Sequence, residues 1–163
     1  MPLLDAAEIA LLQTIEALQA TVSREQPVCG IWTIQDLIGH LADWDRYFDN
    51  WLAGLTGKIT LDLQWDEDGD RFNAWLYKQR QVEPWEQTWS DFRQNRQRFL
   101  VDLQHVSEVD FLQQQPNSSF FETVYHCAWS ALEHYLDHAA GLRRECQMPL
   151  PEELLDFHGP YTD

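Results

Sequence analysis

The segment His134-Tyr-Leu-Asp-His138 sets two imidazoles one helical turn apart, the spacing at which both rings can reach the same ion. With six histidines in 163 residues, chance alone supplies about 0.2 such pairs, so the pair is informative but needs a third ligand before it makes a site. His40 is the candidate for that third position. Three neutral imidazoles suit Zn²⁺, Ni²⁺, Fe²⁺ or Cu²⁺, and they leave coordination positions open for water or substrate, which makes chemistry possible. The competing reading is that these are edge histidines of a helical protein, satisfied by carboxylates such as Asp43, Glu133 or Asp137.

The elements that must position these rings are helices. Leu4, Ile9, Leu12, Ile15, Leu18 and Val22 recur mostly at three- and four-residue steps, which predicts a first amphipathic helix from Leu3 to Val22. Thr33-Ile-Gln-Asp36 has the form of an N-cap, and Leu37, Leu41, Trp44, Phe48, Leu52 and Leu55 carry a second helix from about Thr33 to Leu55. At ~100° per residue, His40 falls beside the Leu37, Leu41 and Phe48 stripe, on an edge shared with Trp44 and Tyr47. A shorter helix is expected over Asp66 to Gln81, ahead of Pro84, and another from Trp85 to Gln104. Ser107-Glu-Val-Asp110 is a capping pattern that opens a short turn, which ends before Pro116 and the polar run Asn117-Ser118-Ser119. The last helix is expected from about Glu122 to Cys146, with His134 and His138 flanking its stripe of Ala128, Leu132, Tyr135, Ala139 and Leu142. Lys58 to Gln64 alternates weakly but has no partner strand and reads as a loop. The expectation is an all-α four-helix bundle with short extra helices over residues 1–148, followed by an irregular tail over 149–163.

Composition narrows the function. Acidic residues number 27 against 11 Lys and Arg, and a formal net charge of −16 repels nucleic acid unless a basic patch overrides it. The densest basic stretch, Arg93 to Arg98, reads as one solvated helix face, so no nucleic-acid partner is expected. Cys29, Cys127 and Cys146 are widely spaced and read as reduced thiols. No basic leader opens the chain and no stretch reaches roughly 18 uninterrupted apolar residues, so a soluble, cytoplasmic protein with no membrane partner is expected.

Trp32-Thr-Ile-Gln-Asp-Leu-Ile-Gly-His40-Leu-Ala-Asp-Trp44 resembles the second-helix signature of the DinB-like superfamily, and Glu133-His-Tyr-Leu-Asp-His138-Ala resembles its last-helix signature. Arg71-Phe-Asn-Ala-Trp-Leu-Tyr-Lys-Gln-Arg80 is similar to the ClbS/DfsB-like branch, and the likeness spans about residues 1–147. The resemblance implies an up-down-down-up bundle in which His40, His134 and His138 bind a divalent metal. It does not fix a reaction: characterised relatives include thiol-dependent S-transferases, a thiol-dependent isomerase and a hydrolase that disarms a genotoxin.

Two functions follow as expectations. In the first, the chain is an enzyme in stress or detoxification. A divalent metal (Zn, Ni or Fe) activates water or a low-molecular-weight thiol against a small electrophilic substrate. His40, His134 and His138 are then ligands rather than acids or bases, and Trp44 and Tyr47 line the mouth unless they are ordinary packing. Asp43 and Asp137 could orient the imidazoles, and Cys127 reads as a small buried hydrophobe rather than a fourth ligand. In the second, the chain is a non-catalytic binder or homodimeric scaffold with a structural metal and a dimer face built from Trp51, Trp75 and Trp85. His105, His126 and His158 do not fit the face of the pair and read as surface or loop residues.

Overall fold

A computed structural model of the chain describes residues 2–20, 22–23, 25–114 and 120–149, and they form an all-α protein. The described residues contain six helices and no strand: α1 (Pro2–Gln19), α2 (Ile34–Leu55), α3 (Gly69–Arg80), α4 (Trp85–Gln104), α5 (Glu108–Leu112) and α6 (Val124–Glu145). None is long and apolar enough to cross a membrane. The polar run at 117–119, His158 and the expected tail beyond Pro149 lie outside the described residues.

Several boundaries follow from caps. The Asp68 carboxylate accepts the Arg71 N–H at 3.1 Å and starts α3 three residues later than its periodicity suggests. Ser107 accepts the Asp110 N–H at 3.2 Å while its hydroxyl donates to the Asp110 carboxylate at 2.7 Å, which is the expected cap of α5. Thr123 accepts the His126 N–H at 3.0 Å and sets the start of α6, a cap that the apolar pattern around it conceals. At the other end of α6, Met148 N–H reaches the Arg143 carbonyl at 2.7 Å and Gln147 N–H the Arg144 carbonyl at 3.2 Å. That pairing is a Schellman cap, and it holds Gln147 at φ 53°. A side chain in this left-handed region is strained, so Gln147→Gly is expected to stabilise the protein by about 1 kcal/mol, read as a higher urea midpoint at unchanged slope.

The chain divides into two compact units, Met1–Gln35 with Ser130–Asp163, and Asp36–Trp129. In the first, Leu4, Leu11, Ile15 and Leu18 form the buried side of α1, and Ala131, Leu132, Tyr135, Ala139 and Leu142 that of α6. Arg143 joins them, donating through Nε to the Thr14 hydroxyl at 2.7 Å, while Thr14 donates to the Ala10 carbonyl at 2.7 Å.

In the second unit, basic residues neutralise carboxylates along α2. Arg80 grips Asp43 through two nitrogens, each at 2.7 Å, and also reaches Glu83 at 2.6 Å and Asp91 at 3.2 Å. Arg96 meets Asp45 at 3.4 Å, and Arg98 meets Asp49 at 2.8 Å. The expected solvated face from Arg93 to Arg98 is therefore corrected: Arg93 and Arg98 are exposed, but Arg96 is 1% exposed. The reason is periodicity, because Arg96 sits four residues after Phe92 and three before Phe99, inside the buried stripe of α4.

Asp49 gives this seam a pH dependence. Burial, with help from neighbouring Asp102 and against the pull of Arg98, pushes its carboxyl up to about 6 from an ordinary 3.8. An acid whose folded pKa is raised contributes stability that is present below its unfolded pKa and lost as pH rises through the folded value. Asp49→Asn, neutral throughout, is therefore expected to gain on the natural protein by roughly 2 kcal/mol between pH 4 and pH 7. Denaturant unfolding of both at the two pH values checks this, and a difference that does not move with pH contradicts it.

Aromatic rings fill the rest of this unit. Tyr47, Phe72 and Leu76 are buried, with Trp44, Trp51, Leu63, Trp65 and Trp75 packed half-buried against them. Trp51 stacks on Phe120 at 4.7 Å and meets Trp65 edge-on at 5.0 Å. The Asn50 side chain accepts the Leu61 N–H at 2.6 Å and donates to its carbonyl at 3.2 Å, and the Tyr47 hydroxyl donates to the Gln64 carbonyl. These bonds dock residues 58–65, which carry no helix or strand, onto α2.

Candidate metal centre

His40 stands in the second turn of α2, 7% exposed, with its ring edge-on to Trp44 at 6.1 Å. The preceding residue must be small: a Cβ at Gly39 would come within 2.6 Å of Arg80 Cδ, so glycine lets the Arg80 side chain lie against α2 and hold Asp43. That grip changes the expected role of Asp43. Both of its oxygens take guanidinium N–H groups, so it serves the ion pair with Arg80 instead of orienting an imidazole. Burial raises the Asp43 carboxyl, and the Arg80 guanidinium beside it pulls the other way. Asp137, on α6, is half-buried, and burial raises its carboxyl against a lowering by Arg144.

His134 and His138 project from one face of α6 with their Nε2 atoms 3.1 Å apart and ring planes at 72°. Burial pushes His138 down to about 4, which keeps its imidazole neutral at pH 7. Neutral imidazole is the form that donates a lone pair to a metal. Two nitrogens each about 2.0–2.1 Å from one ion, at tetrahedral or octahedral angles, lie roughly 2.9–3.4 Å apart, and the observed separation falls in that range. One ligand nitrogen from each of His40, His134 and His138 lies within 4.8 Å of the others, the one group of three among the described residues that could hold a metal ion. The donor set suits a divalent transition metal in its chemistry, and the three residues could hold one.

Cys127 is buried, its Sγ donates to the Phe48 carbonyl at 3.5 Å, and burial together with Asp49 pushes its thiol far up, so it stays protonated. Trp44 donates through Nε1 to Asn73 at 3.0 Å and keeps part of its ring exposed beside His40. Tyr47 is 6% exposed and its hydroxyl is engaged by the backbone of Gln64. Its ring packs edge-on against Phe72 at 5.0 Å. His126 is exposed, and His105 is exposed at the end of α4 with Nδ1 2.7 Å from the Val101 carbonyl. The residue that sequence reading passes over is Arg80: its partner Asp43 lies 37 positions away, and the only local hint is a glycine next to His40.

A family model described as the DinB superfamily matches residues 3–140. No curated protein and no solved structure matches the chain.

Proposed function

Because the chain belongs to the DinB superfamily, we propose that His40, His134 and His138 together hold one divalent ion, Zn²⁺, Ni²⁺ or Fe²⁺, in an enzyme that acts on small electrophilic molecules. The observation that carries this reading is the mutual approach of three imidazole nitrogens, two of them at ligand-to-ligand spacing. When bound, such an ion supplies Lewis acidity that makes water or a low-molecular-weight thiol nucleophilic at neutral pH. The three histidines act as neutral nitrogen donors, and an all-imidazole set leaves coordination positions open. Trp44, beside His40, supplies an apolar wall for the substrate, and Tyr47 backs it from the buried layer of the aromatic cluster. Arg80, by holding Asp43 one turn beyond His40, fixes the stretch of α2 that carries the ligand. With a thiol as nucleophile the enzyme is an S-transferase, and with water it is a hydrolase.

The test begins with protein purified without a histidine tag and reconstituted with each metal in turn. One equivalent of bound metal, and consumption of a low-molecular-weight thiol together with an electrophile, is the result expected of a transferase. Thiol-independent turnover identifies the hydrolase. Folded protein that takes up none of the three metals removes the site, and loaded protein inert with either nucleophile removes the catalytic reading.

A further inference from the structure

Cys29 and Cys146 are separated by most of the chain, yet both stand half-exposed at one place in the first unit. Each is held by a rigid piece of backbone. Cys29 opens a tight turn in which Trp32 N–H donates to the Cys29 carbonyl at 2.8 Å and Val28 N–H to the Trp32 carbonyl at 2.7 Å, with Gly30 at φ 55° making the turn possible. Cys146 is the last residue before the left-handed Gln147 of the Schellman cap, and its own N–H donates to the Leu142 carbonyl at 3.0 Å. Its Sγ lies 3.9 Å from the carbonyl oxygen of Val28, the residue bonded to Cys29. From that geometry we propose that Cys29 and Cys146 form a reversible disulfide when the protein meets a peroxide, tying the turn at 28–32 to the C-terminal cap of α6.

The two thiols also feel one another electrostatically: after burial and Glu145, Cys146 is among the groups that raise Cys29. The chemistry balances with hydrogen peroxide as oxidant. One sulfur attacks a peroxide oxygen, the O–O bond breaks, and water leaves behind a sulfenic acid. The second thiol then attacks that sulfur, the S–S bond forms, and a second water departs carrying the sulfenic oxygen. Both sulfurs are oxidised and the peroxide is reduced to two waters. Cys127, buried where the other two are half-exposed, takes no part. This inference stands apart from the metal site and does not depend on it.

The experiment treats the full-length reduced protein with hydrogen peroxide, alkylates the remaining thiols and maps the peptides. The expected result is one intramolecular Cys29–Cys146 bond, reversed by dithiothreitol, with Cys127 alkylated. Cys127→Ser is expected to form the same bond, and Cys29→Ser and Cys146→Ser to form none, each variant first checked for native helix content by circular dichroism. The oxidised protein should also unfold at a higher temperature than the reduced one, because the bond closes a long loop in the unfolded chain. Cys29 and Cys146 both remaining alkylatable, both ending as sulfinic or sulfonic acids, linking to Cys127, or linking only between molecules would each overturn the proposal.

Discussion

Replacing His138 by Ala is expected to lower affinity for the divalent ion by more than about 100-fold while leaving the helix content unchanged. Loss of a residue that merely orients a ligand typically costs about 10–100-fold in metal affinity, and removing a donor atom outright should exceed that. His138 is the sharpest choice of the three. Its Nε2 sits 3.1 Å from that of His134, so its removal deletes one half of the pair already at ligand spacing. The substitution is also kind to α6, since alanine is the best helix former and the position is only partly buried. His40→Ala should weaken binding to a similar degree. His105→Ala and His126→Ala, both at exposed positions, should leave it unchanged. A chelator-competition titration gives the affinities and circular dichroism the fold. Wild-type affinity in His138→Ala would mean the ion is held elsewhere, and an equal loss in His105→Ala would mean that binding is a general property of surface imidazoles.

The half-sites were legible because they are local. His134 and His138 share a face by spacing alone, and the stripe they flank is the buried side of α6. Helix ends were legible to within a few residues: α1 ends at Gln19, short of the expected Val22, and the starts of α3 and α6 are moved by the caps Asp68 and Thr123. What sequence could not show is which partners long-range folding would give to charged side chains. Asp43, four residues before Tyr47 and three after His40, looks from spacing like a companion for the imidazole, but a guanidinium on α3 takes both of its oxygens. Arg96 is a different case, because its place in the Phe92, Phe99 and Leu103 stripe was readable from periodicity and only its charge argued against burial. Choice of reaction was legible only through family likeness, since a three-imidazole centre serves several chemistries.

The buried pair Arg96 and Asp45 carries the largest expected effect on stability. Asp45 is 0% exposed and Arg96 1%, with Nη1 3.4 Å from Oδ1. Burial of two charges costs several kcal/mol per ion in desolvation, and their mutual attraction offsets that only while both are present. Arg96→Met keeps the length and apolar stem of the side chain but removes the guanidinium charge that faces the Asp45 carboxylate in the interior, so a loss of about 3–5 kcal/mol is expected at pH 7. Such a loss takes a large fraction of the roughly 5–15 kcal/mol that holds a domain of ordinary stability. Asp45→Asn alone also removes a charge from the pair, but its amide oxygen can still accept a hydrogen bond from the Arg96 guanidinium, so its loss should be the smaller of the two. The double variant Arg96→Met with Asp45→Leu removes both charges together and should recover most of the loss, because a buried ion pair replaced by apolar groups of similar volume is often close to neutral. Urea unfolding of the natural protein, Arg96→Met, Asp45→Leu and the double variant closes the cycle that measures the coupling. If Arg96→Met and the double variant lose the same amount, the cost lies in packing on α4 and not in the charge left behind on α2.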